Sequence, residues 1–144
     1  FRCDSIMRKA IEAFILTCFG GCIYVMMEIL WRGYSHWAMF FVGGLAFLCV
    51  GAINEIIPWD VPLIVQMILG GQIITMIEFI SGCVLNLWLK WNVWDYSNLP
   101  FNVLGQICLP FTLLWCLISL IAILLDDWLR WKLFGEEKPH YKIV

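Results

Sequence analysis

Glu28 stands in one apolar run with Arg32 four residues on, just past its end, and Glu78 stands in another. A charge at mid-membrane costs at least ~2.5–3.5 kcal/mol on insertion scales, so such residues face protein or water. Glu28 precedes Arg32 in the favourable order for a helical ion pair. As a functional pair the two would hold a ligand or ion near a mouth of the bundle. As a structural pair they would neutralise each other while Arg32 snorkels. Tyr24 sits one turn before Glu28, on a stripe with Thr17, Gly20 and Gly21. Glu78 shares a second stripe with Gln72, Thr75, Ser81, Gly82 and Asn86. Lys90, the nearest following cation, is 12 residues or ~18 Å further along. Glu78 is therefore either a proton- or cation-binding carboxylate facing a polar cavity, or a protonated acid bonded to a neighbouring helix.

A third cluster is Trp94-Asp95-Tyr96-Ser97-Asn98-Leu99-Pro100-Phe101-Asn102. Asp95, Ser97 and Asn98 favour turns through side-chain-to-backbone bonds, and the aromatics favour the headgroup layer. It is a lid over a mouth or a structural interfacial loop. His36 has no second His or Cys spaced to help it, so no metal and no cofactor are expected. Cys18 and Cys22 share a helix face, but free Cys packs as a small hydrophobe. With seven cysteines and no CxxC, a disulfide framework is not expected.

The elements that must position these residues follow from composition. Of 144 residues, 62% are hydrophobic and 14% charged, and the mean hydropathy is +0.87. Soluble domains carry about 25% charge, so lipid is the solvent here. A soluble enzyme, a nucleic-acid binder and a disordered chain are excluded. The apolar runs cover about 11–31, 36–53, 62–89 and 106–126, with 127–144 as a juxtamembrane tail. In lipid the backbone must satisfy itself, and four strands cannot close a barrel, so the runs are helices. The expected fold is a single all-α membrane domain of four transmembrane helices, with an irregular aromatic loop before the last. The third run, at roughly 1.5 Å per residue, exceeds a ~30 Å hydrocarbon core and must tilt, protrude or break. Pro62 and Pro110 suit first turns, and Gly135 suits a C-cap. Phe1 is not an initiator, so the native start is expected upstream.

With the N-terminus inside, seven basic residues (Arg2, Arg8, Lys9, Arg130, Lys132, Lys138, Lys142) lie inside and two (Arg32, Lys90) outside. The asymmetry predicts both termini cytoplasmic. Eight of the nine tryptophans fall at run ends, where an interfacial belt is expected, and Trp115 alone lies within a run.

Tyr24 with Glu28, Arg32-Gly33, Glu78 with Gly82, the Trp-Asp-Tyr-Ser-x-x-Pro-Phe-Asn stretch, Gly105, Cys108 and Pro110 together resemble a family. It is the small bacterial multipass membrane family labelled "putative ABC-transporter permease". The resemblance spans about 20–115, but 35–44 departs from the family's Gly-Pro…Pro-x-Tyr-Gly segment. It implies a bacterial inner-membrane protein with a transport role, and these 144 residues hold no nucleotide-binding domain.

The expectation is a transport component, a permease or channel subunit, embedded in the bilayer and not an enzyme. Its ligand or ion site would draw on Tyr24, Glu28, Arg32, Gln72, Thr75, Glu78 and Asp95. Four helices enclose little, so a homo-oligomer is expected; nucleic acid is not a partner. The alternative is a phage-type holin or accessory subunit. A membrane enzyme using Glu28, Glu78 and Asp95 as acid–base groups ranks last.

Overall fold

The structure, a computed structural model, describes residues 2–141, with the side chains at 2–4, 54 and 55 outside that description. Helix α1 runs Arg2–Arg32, α2 Trp37–Gly51, α3 Ile53–Ile56, α4 Leu63–Gly82 and α5 Leu109–Phe134. A π-helical turn, Cys83–Trp88, continues α4. Among the described residues the backbone pairing outside helices is one isolated bridge, Val103 with Ile107.

Three helical segments, Ser5–Arg32, Leu63–Trp88 and Leu109–Phe134, are long and apolar enough to cross a membrane. Side chains such as Ile64, Ile68, Met76, Leu113, Leu117 and Ile121 are exposed, which is stable only against lipid. Local chemistry sets the ends. Gly33 closes α1 at φ 80°, its N–H donating to the Ile29 carbonyl at 2.8 Å. His36 caps α2, its Nδ1 accepting from the Ala38 amide at 3.1 Å. Pro110 lies in the first turn of α5, and Gly135 ends it in the left-handed region at φ 67°.

The helices differ in extent from the apolar runs. The charged lead-in before residue 11 is helical and continuous with α1. α5 runs through Asp126 and Asp127 to Phe134, eight residues past the apolar run. α2 has 15 residues, ~22 Å at 1.5 Å each, shorter than the other three. The third run breaks its α-geometry at Cys83. Arg2 is described by backbone alone, and Lys142 lies outside the described residues.

α1 pairs with α2, α4 pairs with α5, and α2 also packs on α4 and α5. Close approach depends on glycine: a Cβ at Gly44 would stand 2.5 Å from the Thr17 carbonyl oxygen, and one at Gly43 2.5 Å from Tyr24 Cβ. Leu16, Phe47 and Leu129 form a core near the termini. Met39, Val93 and Trp94 form another beside the 89–108 loop. α1 and α5 thus meet near the termini, and a cavity opens between them towards the loop end.

Candidate functional site: an aromatic cavity between α1 and α5

The loop that links α4 to α5 is tied down by its own side chains. Buried Asn86, in the π turn, accepts from the Val93 and Trp94 amides at 2.7 and 3.4 Å. Its amide nitrogen donates to Gln106 Oε1 at 2.7 Å. Trp94 Nε1 donates to the Gln106 carbonyl at 3.0 Å. Asp95 accepts from the Ser97 amide at 2.9 Å and from the Ser97 hydroxyl. These two bonds hold its carboxyl below the usual 3.8. The Asn102 amide group donates to the Leu99 carbonyl at 2.9 Å, and Tyr96 N donates to the Gly105 carbonyl at 2.7 Å. Gly82 leaves room for this loop, since a Cβ there would stand 2.6 Å from Gln106 Oε1.

So anchored, the loop delivers Tyr96 to Glu78. The Tyr96 hydroxyl donates to Glu78 Oε2 at 3.0 Å. Trp115 Nε1 donates to both carboxylate oxygens, at 3.1 and 3.2 Å. Glu78 is 6% exposed, and among the described residues no cation lies within 4 Å of it. Its donors are neutral. Tyr96 stacks on Phe111 at 4.7 Å and 9°, and Trp115 lies 6.2 Å from Tyr24 between ring centroids.

Those rings, with Trp31, Trp94, Glu28, Arg32 and Asp95, line a cavity of about 320 Å³. Glu28 pairs with Arg32 at 3.3 Å and accepts from the Ser35 hydroxyl. Arg32 also donates to the Val93 carbonyl at 3.1 Å and lies 4.6 Å over the Tyr34 ring. Tyr24 stands within electrostatic reach of both Glu28 and Glu78, so polar groups run from the rim to the buried acid.

Of the residues singled out in the sequence, Tyr24, Glu28, Arg32 and Asp95 line the cavity, and Glu78 sits behind Tyr96 and Trp115. Two do not join them. Gln72 is exposed on the outer side of α4, because it lies ~120° around the helix from Glu78. Thr75 donates to the Gly71 carbonyl at 2.8 Å and to Thr112 Oγ1 at 3.4 Å, so it joins α4 to α5. The pattern missed Trp115 and Phe111. The signal for Trp115 was its being the one tryptophan inside an apolar run. His36 is a helix cap between Trp37 and Trp91, and the described residues hold no group of three or more His, Cys, Asp or Glu fit for a metal.

The model of the family described as "Putative ABC-transporter type IV" matches residues 13–133. The chain belongs to that family. The match takes in α2 and the 35–44 segment that departs from the expected pattern, as well as the loop. No curated protein and no solved structure matches the chain. With its three helices of spanning length, this family member is a membrane protein of a transport-related kind.

Proposed function

We propose that the chain is a four-span component of a bacterial inner-membrane transporter, a small permease or channel subunit, with both termini cytoplasmic. It takes its ligand in the α1–α5 cavity and acts as a carrier of ligand, with no catalysis of its own. The observation that carries this is the Tyr96–Glu78–Trp115 contact: a loop folded across one end of the bundle reaches a buried acid beside a cavity. α2 and α3 together span Trp37–Ile56, enough for a fourth crossing, and the seven-to-two distribution of basic residues supports the orientation. Such a buried acid with neutral partners can take up a proton or cation when the loop moves, coupling the cavity to the bundle. Glu28 and Arg32 keep the rim polar. A homo-oligomer would supply the remaining wall of a path.

Two measurements test this. In a Cys-less variant, a Cys placed at position 98 should react with an impermeant reagent from outside, and one at 138 should not; the reverse overturns the orientation. In proteoliposomes, Tyr96→Phe and Glu78→Gln should each reduce proton-coupled or cation flux at least tenfold. Unchanged flux in both would remove the loop contact from transport and favour the accessory-subunit alternative.

A further inference from the structure

The nature of the ligand follows from what the cavity wall offers. Six of its 13 lining residues are aromatic. Three of those rings have their polar edges engaged elsewhere. Trp94 donates to a backbone carbonyl, and Tyr96 and Trp115 donate to Glu78. With those edges engaged, the rings offer the cavity carbon and π surface, one face of Tyr96 being covered by Phe111, and donation to a carboxylate enriches a ring's electron density. Trp and Tyr faces attract cations, most strongly when desolvated.

Charge points the same way. Among the described residues Arg32 is the one cation on the lining; it pairs with Glu28, donates to the Val93 carbonyl and lies over the Tyr34 ring, while its Nε has no hydrogen-bond partner. Asp95 meets no cation within 4 Å among the described residues; its bonds are to Ser97. Glu78 adds a further acid behind the wall. The balance of carboxylates over guanidinium disfavours an anion. A small metal ion needs a cage of oxygen ligands, and this wall is mostly apolar. A volume of about 320 Å³ falls at the low end for small-molecule pockets.

We propose that this cavity binds an organic ammonium group, held among Trp31, Trp94, Tyr96 and Trp115 with Asp95 at the rim. The assignment rests on the cavity being the ligand site. The ammonium is carried either by a free amine or by a lipid headgroup.

The test uses the full chain in nanodiscs of phosphatidylglycerol, a lipid without an ammonium, titrated calorimetrically with phenyltrimethylammonium and with benzenesulfonate. The cation should bind saturably and the sulfonate should not. Trp31 is 82% exposed, so Trp31→Leu spares the fold; it should weaken binding roughly two- to fivefold. Asp95→Asn, which keeps the acceptor for Ser97, should weaken it as well. Binding of the sulfonate in place of the cation overturns the ligand class while leaving the cavity as a site. Cation binding indifferent to both substitutions places the probe elsewhere and overturns the proposal. Binding of neither probe removes the site itself. Cation binding without flux supports the ligand class and removes the transport role. If phosphatidylethanolamine nanodiscs suppress the probe, the occupant is a lipid headgroup; if they do not, it is a free amine.

Discussion

Glu12 and Glu78 are both buried acids on helices of spanning length, 3% and 6% exposed, yet their surroundings differ in kind. Glu12 sits at the terminal end, 2.9 Å from Arg130 Nη1 and 3.7 Å from Lys9. Arg130 also pairs with Asp126 at 2.8 Å, Lys9 with Glu136 at 3.2 Å, and Tyr141 donates to Asp127 at 2.7 Å. Gly51 opens the space for the Asp126 carboxylate. Ion pairs there, with a carboxyl–carboxyl bond between Glu12 and Glu136, tie α1, α5 and the tail together. At the loop end Glu78 is met by a phenol and an indole beside a cavity. Neutral donors hold that acid without an ion pair. The same residue type is thus a rivet at one end and a candidate working group at the other.

The largest effect should come from breaking the rivet. Arg130→Met leaves Glu12 and Asp126 without their guanidinium, a loss of about 3–5 kcal/mol readable by denaturant titration in detergent. A loss below about 1 kcal/mol would place the network in open water. Glu78→Gln should cost no more than about 1 kcal/mol, because the amide oxygen still accepts from Trp115 and the tyrosine hydroxyl can turn to accept. A loss as large as that of Arg130→Met would make Glu78 a packing group and erase the contrast.

The pair at the rim should fall between the two in character. In a double-mutant cycle of Glu28→Gln and Arg32→Gln, the single changes should destabilise more than their combination, with coupling of ~1–2 kcal/mol. Small additive effects would mean that water screens both. A gentler probe is acid. Burial pushes the Glu136 carboxyl up, but its bond with Glu12 and the charges of Lys9 and Arg130 outweigh this and hold it below 4.5. A depressed acid stabilises above its unfolded value and loses that contribution as pH falls. The protection factor of the Glu136 amide, which donates to the Arg130 carbonyl at 3.1 Å, should therefore fall as the pH drops below about 4.5. The smallest effect is expected at Gln72, where Gln72→Leu should stay within ~0.5 kcal/mol. A marked change in oligomeric state there would show that this face of α4 meets a second copy.

Several of these features were legible because they are local. The Glu28–Arg32 pair lies one helical turn apart, and Gly135 as a cap and the Asp95–Ser97 turn depend on neighbours in the chain. The separation of Gln72 from Glu78 has an equally local origin: steps of three drift around a helix of 3.6 residues per turn, so the two part company over six residues. The π turn at Cys83–Trp88 had no sequence signal, since it accompanies the loop bonds to Asn86.

Hydropathy and helical period alone determined that lipid is the solvent, that the chain is helical, and where charge is dense enough to stop a run. Those properties are sums over adjacent residues. Which acid is ion-paired and which is held by neutral donors was decided by partners 118 residues from Glu12 and 37 residues from Glu78. Only the packing of α1 on α2, α4 on α5, and the loop across their end brings those partners within hydrogen-bonding distance. The cavity likewise belongs to no segment: it exists because α1 and α5 meet near the termini and the rings between them keep the other end apart.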